Sequence, residues 1–345
     1  MIETNLIDLP HGITLSVRSA GAKGRPVLVF LHGFPEAAFV WDGLLAHFAA
    51  PENGGYRCVA PNLRGFERSS APSDVAAYRP KHLVQDIAAL IALECQGEHA
   101  GQAASAGPPQ ARPAPSGGSE PHAVGERGGQ LACLVAHDWG GAVAWNLMAS
   151  QPQLAKKLAI INSPHPGTFL RELQHSPAQQ AASAYMNFLI RPDAAELLVA
   201  DDFKRLWQFF NASGASTPPG TPGAPVGCGW LTEAVKDQYR AVWGCGLEGG
   251  LNFYRASPLR PPRPGPPHND PAASGVVIPP GLLHISVPTM VLWGMADIAL
   301  PPPLLVGLKN HVPQLQLHRI DGASHWIIHE QPALVTGYLQ RFLSQ

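Results

Sequence analysis

Charge of either sign is scarce in this chain. Its 345 residues hold 24 Lys and Arg against 25 Asp and Glu, a net charge of -1, so no basic field exists to gather nucleic acid or anionic lipid. Long apolar runs are missing as well. The longest, such as 26–31, are far too short to span a bilayer. Residues 1–20 carry a polar side chain at nearly every second position, with no basic n-region and no apolar h-region, so no signal peptide is expected there. The five cysteines (Cys58, Cys95, Cys133, Cys228 and Cys245) are odd in number, scattered, and form no C-x-x-C pair. Free thiols in a reducing cytoplasm are the expectation. No internal repeat is visible.

What is present is apolar material, 45% of the chain, enough for a core domain plus an insertion. Strand-like runs at 5–9, 13–18 and 27–31 come first, followed by a helical stretch at 36–49. Strand patterns at 56–60, 131–135 and 158–161 then alternate with helical ones at 82–95 and 140–150. Toward the C-terminus the order is strand 289–293, helix 304–311, strand 315–320 and helix 332–343. Hairpins followed by β-α alternation imply an α/β fold, a mostly parallel sheet with helices on both faces. Two regions break the pattern. Residues 97–129, rich in Gly, Ala, Pro and Ser, are expected to form a mobile surface insertion. Residues 163–285 hold helical segments at 178–190, 202–210 and 231–242, separated or followed by Pro- and Gly-rich loops at 212–229 and 257–281, and are expected to form a helical cap. The core then comprises 1–162 and 286–345.

The chemistry concentrates in Ala136-His137-Asp138-Trp139-Gly140-Gly141, which follows a strand and opens a helix. That is the setting of a nucleophile elbow, where small residues two before and two after the nucleophile permit a sharp turn. Asp138 stands where serine hydrolases hold Ser, and no Gly-x-Ser-x-Gly occurs anywhere. A carboxylate attacks alkyl carbon to give an ester, whereas attack on an acyl carbon would give only an anhydride. Asp138 therefore points to substitution at sp³ carbon, in epoxides or alkyl halides; the plainer alternative is an Asp capping the helix. A second motif, His32-Gly33-Phe34-Pro35-Glu36, follows the 27–31 strand. Sheets of this type take one oxyanion-hole N–H from that loop and the other from the residue after the nucleophile, which assigns Phe34 and Trp139. His32, Pro35 and Trp139 are expected to touch substrate, and Phe34–Pro35 is a candidate cis peptide.

Among 15 His, position selects His325, in Gly322-Ala323-Ser324-His325-Trp326, as the base. It follows the final strand at the sheet edge where such folds build their sites, and His329 lies one turn later. Asp297, just past the 289–293 strand, is the matching acid, giving the chain order nucleophile, acid, His. Asp321 competes but reads as a turn former.

Together these residues resemble the epoxide hydrolases of the α/β-hydrolase fold, over most of the chain except 97–129 and the Pro-rich loops of the cap. The resemblance implies two cap tyrosines that hold the epoxide oxygen. Tyr185, after Asn162-Ser163-Pro164-His165-Pro166, and Tyr254, in Leu251-Asn252-Phe253-Tyr254-Arg255, match them, with ordinary packing as the alternative. Tyr239 and Tyr78 fit less well. Two departures stand out. Ala136 replaces a usual Gly, and Asn62 and Glu67 replace the Asp and second Gly of the family's Asp-x-Arg-Gly-x-Gly-x-Ser loop.

The implied reaction is hydrolysis of a small apolar epoxide by water, in a cytoplasmic monomer or homodimer without metal or organic cofactor, nucleic acid or membrane. The nearest alternative is a dehalogenase. No Asn or Trp halide ligand follows His32-Gly33, however, and Trp139 and Ala142 stand where haloacetate dehalogenases carry a carboxylate-binding Arg. A ligand-binding protein on a silent hydrolase fold is the third reading.

Overall fold

The computed structural model describes residues 1–96, 129–212, 228–263, 272–279 and 281–345. The 97–129 insertion lies outside these but for its last residue, as do most of the 212–229 loop and part of the 257–281 loop.

In chain order the core begins with β1 (Glu3–Asp8), β2 (Thr14–Ala20), β3 (Val27–Leu31), α1 (Asp42–Ala49), β4 (Arg57–Pro61) and α2 (Pro80–Cys95). It continues with β5 (Cys133–His137), α3 (Asp138–Ser150) and β6 (Leu158–Ile161). Among the described residues six α-helices follow before the chain returns to the sheet: α4 (Pro166–His175), α5 (Pro177–Ala182), α6 (Tyr185–Leu189), α7 (Ala194–Ala212), α8 (Glu233–Trp243) and α9 (Glu248–Ala256). The chain closes with β7 (Thr289–Gly294), β8 (Leu315–Ile320), α10 (Ile327–Glu330) and α11 (Pro332–Leu343).

The eight strands form one sheet in the order β1-β2-β4-β3-β5-β6-β7-β8. β2 pairs antiparallel with both β1 and β4, and every other pairing is parallel. Strands buried on both faces need apolar residues at every position. β3 shows how these divide: Val27, Val29 and Leu31 enter one core cluster with α2 and α3, while Leu28 and Phe30 enter another with α1 and α11. β4 and β5 lie on opposite sides of β3, so the strand order reverses there, and open α/β sheets bind ligands at the carboxyl ends of such strands.

The helical reading of 304–311 is corrected. Two short 3-10 turns, Pro302–Leu305 and Leu308–Asn310, stand there, split by Gly307 at φ +74°. A left-handed residue ends a helix, and periodicity does not register it. Among the inserted helices, the 178–190 pattern divides into α5 and α6. The α7 segment bends at Ala200–Phe203, where Asp201, Asp202 and Phe203 all have positive φ. Of the inserted helices, α4 and α9 have no counterpart in the sequence reading. The α9 backbone lies directly on the core, since a Cβ on Gly249 would meet the Gly65 Cα at 2.3 Å.

The unusual loop is held by the residues that depart from the family pattern. Asn62 accepts from the Ala38 N–H at 2.8 Å and donates to Glu67, which also accepts from Ser16. Glu67 sits at φ +49°, a conformation that suits Gly. An Asp at position 62 would face the Glu67 carboxylate with no proton between them. We expect N62D to lose about 2–4 kcal/mol in urea unfolding and N62D/E67G to recover most of it. Wild-type stability in the single variant would remove the Asn62–Glu67 contact from the loop's support.

Candidate active site

Four loops at the carboxyl ends of β3, β5, β7 and β8 converge. Asp138 begins α3 at φ +49°, a strained value for a residue with a side chain, and its carboxylate does not cap the helix. Instead Oδ1 accepts the Phe34 N–H at 2.8 Å. Two glycines make that approach possible: a Cβ on Gly33 would lie 2.2 Å from Asp138 Oδ1, and one on Gly140 would lie 2.5 Å from the Leu31 carbonyl oxygen. The Phe34–Pro35 peptide is cis.

His325 points its Nε2 at Asp138 Oδ2 from 3.6 Å and donates through Nδ1 to Asp297 Oδ2 at 2.7 Å. Asp297 is buried and accepts three further donors: Asn162 Nδ2 at 2.8 Å and the N–H groups of Ala299 and Leu300, each at 2.9 Å. Burial alone would push the His325 imidazole down. The Asp297 carboxylate, aided by Asp138 and Glu36, outweighs it and holds the ring up at about 9.

A cavity of about 530 Å³ opens above Asp138 and His325, walled by Phe34, Trp326, Tyr185 and Tyr254 among others. The two tyrosine rings meet edge to face, centroids 6.3 Å apart. Burial pushes both phenols up from their ordinary value, and nearby negative charge, Asp138 included, adds to it; both are thus kept as neutral O–H donors. Trp139 packs edge to face on Tyr254 and lines a smaller pocket beside Asp138 and Tyr185.

The structure does not bring every expected residue to the cavity. His32 is a correction: its ring is fully buried, donating through Nδ1 to the Gly33 carbonyl and accepting the Leu63 N–H at Nε2. With both nitrogens taken by backbone it braces two loops and has none left for a ligand. Pro35 is likewise turned away, its carbonyl accepting Trp243 Nε1 at 2.7 Å. Asp321 is exposed in the turn after β8.

A second polar cluster lies behind the first. Glu36 is fully buried; His137 holds its Nδ1 3.0 Å from a Glu36 carboxylate oxygen and its Nε2 3.0 Å from the His325 carbonyl oxygen. Tyr239 and His329 donate to the other Glu36 oxygen. Burial would raise the Glu36 carboxyl, but His329 and His137 together hold it well below the usual carboxylate range. Sequence reasoning quoted Glu36, His137 and Asn162 without giving them partners. A Glu straight after a Gly-Phe-Pro turn is the only local signal, and it does not show burial. Among the described residues, no group of three His, Cys, Asp or Glu could hold a metal ion, and no helix is long and apolar enough to cross a membrane.

This sheet order, with an acidic residue on the sharp turn after β5 and a His after the last strand, defines a class, and comparison with known proteins agrees. The chain belongs to the alpha/beta hydrolase family, whose model matches residues 28–337. It is 30% identical over 336 residues to the AB hydrolase superfamily protein YfhM of Bacillus subtilis, covering 96% of this chain and 95% of that one. Epoxide hydrolase 4 of Mus musculus is 27% identical over 342 residues, 97% of this chain and 77% of its own. A solved epoxide hydrolase of the same superfamily, from metagenomes of hot environments, superposes with a TM-score of 0.74 at 30% identity, covering 99% of both chains.

A His whose folded value is raised gives stability that is complete below its unfolded value of 6.5 and lost as pH rises through about 9. The difference in unfolding free energy between wild type and Asp297→Asn should therefore shrink from pH 6.5 to 9, while the His325 titration followed by NMR moves down in the variant. A constant difference across that window would mean that Asp297 does not set the charge of His325.

Proposed function

We propose that this protein hydrolyses epoxides to vicinal diols through an ester on Asp138. We propose too that 163–285 forms a cap domain over a core of 1–162 and 286–345. The observation that carries the reading is one cavity holding a carboxylate with a free oxygen, two neutral phenols, and an imidazole beside the carboxylate. The relatives named epoxide hydrolases support it.

In the first step Asp138 Oδ2 attacks an epoxide carbon from behind. The C–O bond breaks, and Tyr185 or Tyr254 gives its proton to the departing oxygen. A phenol can protonate an alkoxide, so the reaction needs no stronger acid. Oδ1 becomes the ester carbonyl oxygen while still accepting the Phe34 N–H. Esterification removes the Asp138 charge, and with it one of the influences that hold the His325 ring protonated. The ring gives its proton to the phenolate, restoring the phenol, and the neutral imidazole then takes a proton from water as the water oxygen adds to the ester carbonyl. Negative charge then develops on Oδ1, where the Phe34 N–H, and that of Trp139 as the second donor, meet it. Losing one such donor typically costs about 10²–10³ in rate. As the tetrahedral intermediate collapses to the Asp138 carboxylic acid, the departing diol oxygen takes the acid's proton, which leaves Asp138 ionised and His325 protonated as at the start, so epoxide and water give diol. Asp297 orients His325 throughout. Halide departure needs no proton, and two buried phenols would have no part in it.

Single-turnover hydrolysis in ¹⁸O-water should place label in the Asp138 carboxylate; label confined to the diol would rule out the ester. Tyr185→Phe and Tyr254→Phe should each slow alkylation, followed by tryptophan quenching. The double variant should nearly abolish it while ester hydrolysis changes far less. Alkylation of the double variant at the wild-type rate would reduce both tyrosines to packing.

A further inference from the structure

The α7 wall of the reaction cavity carries an exposed cation that the proposed chemistry does not use. After the bend at Ala200–Phe203, α7 presents Arg205, Gln208 and Phe209 to the cavity, at i, i+3 and i+4, while Leu206 and Phe210 turn into the core. Helix positions that line an apolar cavity ordinarily carry apolar residues. Two of these three are polar. The Arg205 guanidinium lies over the Phe188 ring, itself part of the cavity wall, at 5.7 Å from its centroid. Among the described residues Arg205 makes no ion pair and no side-chain hydrogen bond. The other arginines of α4 to α9, and Arg191 between α6 and α7, are paired: Arg171 with Glu172, Arg191 with Asp193, Arg240 with Asp202 and Asp237, and Arg255 with Glu248. Arg191 approaches the same Phe188 ring, yet its charge is already met by Asp193.

We infer that Arg205, with Gln208 beside it, is a subsite for an anionic group on the substrate, so that this enzyme favours epoxides bearing a carboxylate remote from the ring. This rests on the epoxide reading of the site. Orientation follows from charge. A carboxylate next to Asp138 would be repelled by it, so the epoxide must enter first, toward Tyr185 and Tyr254, with the acid trailing at Arg205. Arg suits this role because its planar fork can bind carboxylate through two N–H groups while its face stays stacked on an aromatic ring. The guanidinium is exposed, so the preference is modest and weakens with salt.

The test uses para-glycidyloxybenzoate and its methyl ester, alike except for the charge. At low ionic strength the acid-to-ester ratio of kcat/KM should fall about three- to fivefold in Arg205→Met and about tenfold or more in Arg205→Glu. It should be largely kept in Arg205→Lys and unmoved in Arg191→Met. The Kd values of the two diol products, read by quenching of Trp326 in the cavity wall, should show the same ordering. Turnover of both epoxides at a ratio that neither Arg205→Met nor Arg205→Glu moves overturns the subsite. If neither epoxide is turned over while binding of the acidic diol still depends on Arg205, the subsite stands and the epoxide reading fails.

Discussion

A carboxylate at the floor of a cavity walled by aromatic rings is tolerated only where donors meet it, and the region around Asp138 is arranged to that end. Its Oδ1 needs the Phe34 N–H, which requires the loop after β3 to run against the turn that opens α3. Only glycine at positions 33 and 140 leaves room for that contact. Its Oδ2 needs a partner that can be charged or neutral, and His325 supplies it from the loop after β8, at the same carboxyl edge of the sheet. The strand order places β3 next to β5 so that these contacts can form, and the positive φ of Asp138 is the strain left by making them.

The same requirement recurs one layer deeper. Glu36 is a second carboxylate with no access to water, and it is met by His137, Tyr239 and His329. Both ring nitrogens of His137 face oxygens, one on Glu36 and one on the His325 backbone, so His137 ties the loop of β3 to the loop that carries His325. Tyr239 and Trp243 both come from α8 and bond to Glu36 and Pro35, so the inserted helices are anchored on the loop that supplies the Phe34 N–H. The polar cluster behind the cavity therefore joins the inserted helices, the Phe34 loop and the His325 loop in one network.

How far the sequence could be read depended on how local each cause was. Strands at 27–31, 158–161 and 315–320 coincide with β3, β6 and β8, because an apolar run, or in β8 apolar residues spaced among polar ones, bounded by turn residues fixes a strand within its own few residues. The segment at 304–311 failed because Gly307 interrupts it through backbone sign, which apolar spacing cannot encode. The α7 bend escaped for the same reason.

The chain by itself determined an α/β sheet with inserted helices, a carboxylate on a sharp strand-to-helix turn, and a late Asp and His to serve it. Each of these is written in adjacent residues: small side chains flanking Asp138, or a polar residue just past a buried strand. Only the tertiary structure decided the partners. His32 looked like a substrate contact and faces inward, His329 serves Glu36 while His325 faces Asp138, and Asn162 holds Asp297. Those choices join residues more than a hundred positions apart, or turn on which way a ring points. Sheet order and packing fix them once the chain has folded, and no spacing along the chain records them.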